Sequence, residues 1–169
     1  CKDFSKKEFN KIAETIGSNL INTECKFCIN DDVDVTIQLK EKVNILHLGQ
    51  DDMHPTKAKK MIGDHISLGL SITDISQIYK IPEIVDYIGV GPVYKTASKS
   101  DASKPMGISK VRNIIDKVQI PVVAIGGLQL KNIPQLKEIG VSGFAIISAI
   151  FGEQDPHSSF KKYKKLAKF

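Results

Sequence analysis

Six short apolar runs recur along this chain at intervals of about twenty residues, and each interval has room for one helix. The runs fall at residues 26–29, 43–48, 65–70, 86–90, 122–125 and 144–147. Helical periodicity fills the gaps at residues 5–20, 55–62, 109–118, 130–139 and 158–167, several of them opened by Ser, Thr or Pro. Gly63 and Gly140 stand where helix C-terminal stops belong. Such alternation predicts parallel strands joined by crossover helices, because parallel neighbours cannot be linked by a tight turn. The run over residues 85–93 is apolar on both parities, which suits a strand buried on both faces.

Two architectures satisfy that pattern, an open doubly wound sheet and a closed barrel. An open dinucleotide-binding sheet places a glycine-rich turn after its first strand, and no GxGxxG occurs there. The informative turns come late: Gly126 and Gly127 close one strand, and Ile147 and Ser148 close the next. In a (β/α)8 TIM barrel the last two loops frequently build a phosphate site at the carboxyl-terminal face. The expected fold is therefore an α/β barrel, one domain over residues 1–169. Six strands are two short of a barrel, and the chain opens with Cys1 rather than methionine. The expectation is that residues 1–3 end strand two and that strand one lies upstream.

Charge and side-chain chemistry narrow the function. The net charge of +5 is carried almost wholly by lysine, with Arg112 the sole arginine, so the arginine forks and aromatic platforms of a nucleic-acid reader are not organised here. No apolar run approaches the roughly 18 residues of a membrane span, and the cytoplasm is the expected compartment. The lysine-rich end FKKYKKLAKF reads as a terminal helix packing through Phe160, Tyr163, Leu166 and Ala167. Cys25 and Cys28 form a C-x-x-C inside an apolar run, without a second ligand pair, and are expected to be core cysteines. The four histidines make no metal pair.

Anion-binding chemistry follows the strand ends instead. Lys95, Thr96, Ser98 and Lys99 bring hydroxyls and ammonium groups to the carboxyl end of the strand before Pro92, as a phosphate ester requires; a solvated surface loop has the same composition. Asn30 and Asp31 follow one strand, and Asp51 and Asp52 follow the next. Neighbouring strands lie about 5 Å apart, so Asp31 and Asp52 can share one hard cation. Helix N-capping by Asp31 or Asp32, and by Asp51 or Asp52, is the competing role.

The motifs INDDVD (residues 29–34), HLGQDD (47–52), GLS (69–71), YIGVGPVYKTASKSD (87–101), KPMGI (104–108), PVVAIGG (121–127) and ISAIF (147–151) together resemble the thiamine phosphate synthase family. The resemblance is collinear from about residue 2 to residue 151. It implies a magnesium-dependent (β/α)8 barrel transferase that joins a pyrimidine diphosphate to a thiazole phosphate and releases pyrophosphate. Its partners are those two small molecules, with no nucleic acid or membrane; a homo-oligomer is compatible with it.

The resemblance also implies site residues. Asn30 binds the pyrimidine diphosphate, Asp31 and Asp52 hold Mg2+, and Ser71 touches the pyrimidine. Thr96, Ala97 and Ser98, with Gly127, Ile147 and Ser148, hold the thiazole phosphate. Lys99 neutralises the diphosphate, and Lys2 matches the last residue of a Q-x-R-x-K diphosphate motif whose earlier positions precede residue 1. Lys99 and Ser71 are the expected catalytic residues. In the family the carbon–oxygen bond to diphosphate ionises first, the pyrimidine amino group delocalises the cation, and the thiazole nitrogen captures it, so no general base is needed. This chain departs in carrying Lys95 for a usual proline, Ser98 for a usual threonine and residues 42–44 for a common Gly-Ala-Asp turn. A tautomerase-like or phosphosugar-isomerase barrel, or a non-catalytic truncated relative, are the other readings of the chain; a tautomerase or isomerase has no need of Asp31 with Asp52.

Overall fold

The structure is a computed structural model and describes residues 4–96 and 104–167. Every strand pair with a recorded register is parallel. The chain forms two compact units: one reaches to Leu70 and includes Pro82–Asp86, and the other comprises Ser71–Ile81 and the residues from Tyr87 on.

The first unit opens with helix α1 (Lys6–Leu20). Ser5 starts it with a capping box, its hydroxyl accepting from the Glu8 N–H while the Glu8 carboxylate accepts from the Ser5 N–H at 2.9 Å. Strand β1 (Cys28–Asn30) follows, then helix α2 (Val33–Gln38), strand β2 (Ile45–Leu48), helix α3 (Pro55–Ile62) and strand β3 (Ser67–Ile72), which continues into the second unit. Cys28, Ile29 and Asn30 lie opposite Ile45, Leu46 and His47, and β2 continues in register along β3. Ile29, Leu46, Leu48, Leu68 and Val35 form the core, all but closed to solvent. Gly63 ends α3 at φ +80°, as its position in the sequence predicts.

Helix α2 is not marked by apolar periodicity in the sequence. Its sequence VDVTIQ is rich in β-branched residues and poor in helix propensity. Burial of Val33, Val35 and Thr36 and an N-cap from Asp32 override that preference.

The second unit carries strands β4 (Tyr87–Val90), β5 (Val122–Ile125) and β6 (Gly143–Ala145), paired in that order. Helices α4 (Gly107–Ile115), α5 (Ile133–Glu138), α6 (Ser148–Phe151) and α7 (Pro156–Leu166) accompany them, with 3-10 turns at Ile75–Lys80 and Leu130–Asn132. Ile88, Val90 and Val93 are buried, in keeping with a strand covered on both faces.

Two expectations need correction. Cys25 and Cys28 are exposed thiols rather than core residues. The strand begins only at Cys28, and its alternation turns Ile29 inward and Cys28 outward, while Phe27 is buried just before it. In α7, Tyr163 is buried at 7 % exposure, but Phe160 is 50 % and Leu166 38 % exposed. The inward stripe runs through Pro156, Ser159, Tyr163 and Ala167, so the helix is rotated away from the face that its large apolar residues suggested.

Residues 1–3, read as the end of a strand, lie outside the described residues. None of the described helices is long and apolar enough to cross a membrane.

Candidate functional site

In the first unit the carboxyl ends of two parallel strands deliver the acidic residues. Asn30 is the last residue of β1 and pairs with His47 of β2, and the next residue, Asp31, donates its backbone N–H to the His47 carbonyl at 2.8 Å. Asp52 follows β2 by way of Gly49, Gln50 and Asp51. Asp31 and Asp52 therefore stand at the same end of adjacent strands.

Capping does not claim either of them. Asp32 caps α2 by accepting from the Val35 N–H at 2.9 Å. His54 caps α3, its Nδ1 accepting from the Thr56 N–H. Asp52 instead turns back on its own loop, its Oδ2 accepting from the Gly49 N–H at 2.6 Å. Asp31 is also the one described non-glycine residue with a left-handed backbone, φ +69°. Asp tolerates that region better than most residues, but it is a costly conformation to hold beside a strand end, and such conformations cluster at ligand sites. Replacing Asp32 by alanine is accordingly expected to cost about 1 kcal/mol of stability through the lost cap, and to leave cation binding at the neighbouring tips unchanged. Thermal unfolding and a metal titration on one variant separate the two.

A cavity of about 680 Å³ adjoins this end of the first unit. Asn30, Asp31, Asp32 and the ion-paired Lys6 and Asp34 form its polar side, and Phe9, Ile12, Ile16 and Ile29 its apolar wall; Asp52 does not line it. Among the described residues no group of three or more His, Cys, Asp or Glu converges as a metal cage. Magnesium, however, uses one or two carboxylates and takes its remaining ligands from water and phosphate. A pair of carboxylates released from capping at adjoining strand tips fits that donor set.

The second unit holds a different cavity, of about 420 Å³, lined by Lys95, Thr96, Gly127, Ser148 and Ala149 together with Leu128, Gln129, Glu153 and Tyr163. Three expected phosphate-binding positions, Thr96, Gly127 and Ser148, are thus brought together from the ends of three strands. Close packing of the β4 and β5 loops is what assembles them: Val93 and Tyr94 donate their N–H groups to the carbonyls of Ile125 and Gly126 at 2.9 and 3.0 Å. Gly127 sits at φ +66°, and a Cβ there would meet the Lys95 carbonyl at 2.5 Å. Ser148 opens the single-turn α6, in which the Ile150 and Phe151 N–H groups donate to the Ile147 carbonyl while those of Ser148 and Ala149, at the first two helical positions, have no intrahelical acceptor.

Ile147, at the N-cap position of that turn, is 60 % exposed and does not line the cavity. Ser71 lies on β3. Ala97, Ser98, Lys99 and Lys2 lie outside the described residues. Sequence reasoning overlooked Gln129, Glu153 and Tyr163. Burial pushes the Tyr163 phenol pKa up, against an opposing hydrogen bond with the Leu130 backbone. Gln129 was within reach, since it follows the Gly126–Gly127 turn by two residues; Tyr163 was read as a packing residue, and nothing local marks its neighbour Glu153.

Comparison with known proteins matches residues 1–150 to the family described as thiamine monophosphate synthase. A thiamine-phosphate synthase of Vibrio campbellii is 36% identical over 154 residues, covering 90% of this chain and 74% of that protein. One from Archaeoglobus fulgidus is 32% identical over 167 residues, covering 99% of this chain and 78% of that protein. The solved thiamine phosphate pyrophosphorylase from Pyrococcus furiosus superposes with a TM-score of 0.87 at 29% identity, covering 98% of this chain and 79% of that one.

Proposed function

Because the chain belongs to the thiamine monophosphate synthase family, we infer that it joins a pyrimidine diphosphate to a thiazole phosphate, forming thiamine phosphate and pyrophosphate. The observation that carries the reading is the family match over residues 1–150, and it agrees with a pair of uncapped aspartates in one unit and a hydroxyl-lined cavity in the other. In this reading the strands belong to a (β/α)8 barrel in one domain, a fold supported by the likeness to the Pyrococcus furiosus structure over 98% of the chain. The compartment proposed is the cytoplasm, where both phosphorylated substrates would be held in solution.

Asp31 and Asp52 are the residues that would hold magnesium, with Asn30 beside them for the diphosphate. Bound there, the ion supplies positive charge against the oxygens of the leaving diphosphate. The chain's own contribution is to hold the reactants and to stabilise separated charge. The carbon–oxygen bond breaks with its electron pair leaving on pyrophosphate; the pyrimidine methylene carbon becomes electrophilic, and the thiazole nitrogen lone pair forms the new carbon–nitrogen bond. Lys99 and Lys2 are proposed to add positive charge on the diphosphate side, and Ser71 to orient the pyrimidine. Thr96, Ala97, Ser98, Gly127, Ile147 and Ser148 are proposed to fix the thiazole phosphate through hydroxyls and backbone N–H groups, which places the nucleophile before the reaction begins.

Lys95 lines the same cavity as Thr96 and Ser148. An ammonium there adds one charge-assisted contact to a phosphate. Lys95→Ala is expected to raise KM for the thiazole phosphate by about tenfold, in line with the 1.5–3 kcal/mol typical of a hydrogen bond to a charged group, and to leave the magnesium requirement alone. Steady-state kinetics with each substrate varied in turn check it.

The test of the function is pyrophosphate release from the two phosphorylated substrates with magnesium present. Rearrangement of the thiazole without release would instead indicate a tautomerase, and binding without turnover a non-catalytic relative.

A further inference from the structure

We propose that Gly49 is a positioning residue for Asp52, serving the cation through the carboxylate and never touching it. The inference rests on the reading that Asp52 is a magnesium ligand. Two features of the loop carry it. The Gly49 N–H donates to Asp52 Oδ2 at 2.6 Å, which fixes the rotation of the carboxylate and leaves Oδ1 turned away from that bond. A Cβ built on Gly49 would stand 3.0 Å from the same Oδ2 and 3.8 Å from Cγ, and among the described residues would meet no other atom within 4 Å apart from its chain neighbours.

Glycine is not required here by the backbone. Gly63, Gly107, Gly126, Gly127 and Gly140 have left-handed φ values, and Gly49 does not. Nor is it required by packing, since among the described residues the obstacle to a methyl group is Asp52 itself. The absence of a side chain at position 49 thus has one physical consequence, which is where the Asp52 carboxylate can lie. An alanine keeps the N–H but forces the carboxylate to retreat by a few tenths of an ångström. Magnesium demands near-ideal octahedral geometry and tolerates such displacement poorly, and partners that orient a ligating carboxylate typically govern metal affinity by 10- to 100-fold.

The experiment uses the full chain, with Gly49→Ala, Gly49→Val and Asp52→Ala compared with the unaltered protein. Binding of Mn2+ to the substrate-free protein is followed by electron paramagnetic resonance, and the magnesium concentration for half-maximal rate is measured separately. The expected result is that Gly49→Ala weakens Mn2+ binding and raises the half-maximal magnesium concentration by about tenfold, that much of the rate returns as magnesium is raised, and that Gly49→Val does worse on both. The melting temperature in EDTA is expected to stay unchanged for Gly49→Ala. Loss of Mn2+ binding in Asp52→Ala with none in either Gly49 variant would overturn this inference and leave the metal assignment standing. Unaltered Mn2+ binding in Asp52→Ala would overturn both. A lowered melting temperature in EDTA with unaltered Mn2+ binding would reduce Gly49 to a structural part of the loop.

Discussion

Asp52→Ala is expected to lower magnesium-dependent turnover by about 10²–10³-fold, the range seen when one group that stabilises developing charge is removed. Its stability in EDTA is expected to fall by no more than about 1 kcal/mol, because Asp52 is exposed, caps no helix and gives up only the bond from the Gly49 N–H. Asp31→Asn is the matching variant on the neighbouring strand, and the choice of asparagine matters. At φ +69° most side chains clash with the following carbonyl, at a cost of roughly 1–2 kcal/mol, whereas Asn and Asp are tolerated. Asparagine therefore removes the charge and keeps the backbone, so the activity lost reports on the carboxylate charge and not on backbone strain. Asp31→Ala adds backbone strain to the same loss. Pyrophosphate release measured against magnesium concentration, alongside thermal unfolding in EDTA, separates these effects. A rate in Asp52→Ala equal to that of the unaltered protein would remove it from the metal site.

The second large effect concerns stability. A Cβ at Gly91 would lie 2.1 Å from the carbonyl oxygen of Ile125 and 2.8 Å from its Cγ2. That oxygen already accepts the Val93 N–H at 2.9 Å, so it cannot withdraw without breaking the bond that docks the β4 loop on β5. Gly91→Ala is expected to destabilise the protein by about 3 kcal/mol, at the upper end for overpacking, and to lower the melting temperature by roughly 6–12 °C for a chain of this size. The cavity lined by Thr96, Gly127 and Ser148 is expected to suffer as well, because Lys95 and Thr96 follow from the same docked loop. Gly107→Ala is the control. Its φ is +72° and, among the described residues, nothing lies within 4 Å of the added Cβ, so the left-handed strain of about 1–2 kcal/mol is the expected cost. Equal losses in the two variants would show that conformation, and not contact, governs both.

Several features were legible in the residues because their causes are local. Apolar runs, helical periodicity and terminal glycines act over a few positions, and they located β5 and α3 to the residue and the other strands to within a few positions. The acidic strand tips, and the place of Lys95 and Thr96 after β4, were legible for the same reason, since strand ends are marked by the residues that end them. Helix α2 was not, because its own propensities oppose it and only burial and the Asp32 cap make it form.

Other matters depended on partners distant in the chain. Sequence left four aspartates as equal candidates for capping; folding assigned one cap to Asp32 and another to His54, and set Asp31 against His47 through a strand pair. The side of α7 that turns inward, the exposure of the two cysteines, and the gathering of Thr96, Gly127 and Ser148 around one cavity have the same origin. Pattern along a chain specifies which elements form and where they stop, since those choices are settled by neighbours. Which atoms then meet is decided by strand register and by backbone approaches as close as that of Gly91 to Ile125, and these exist only once segments some thirty residues apart are packed together.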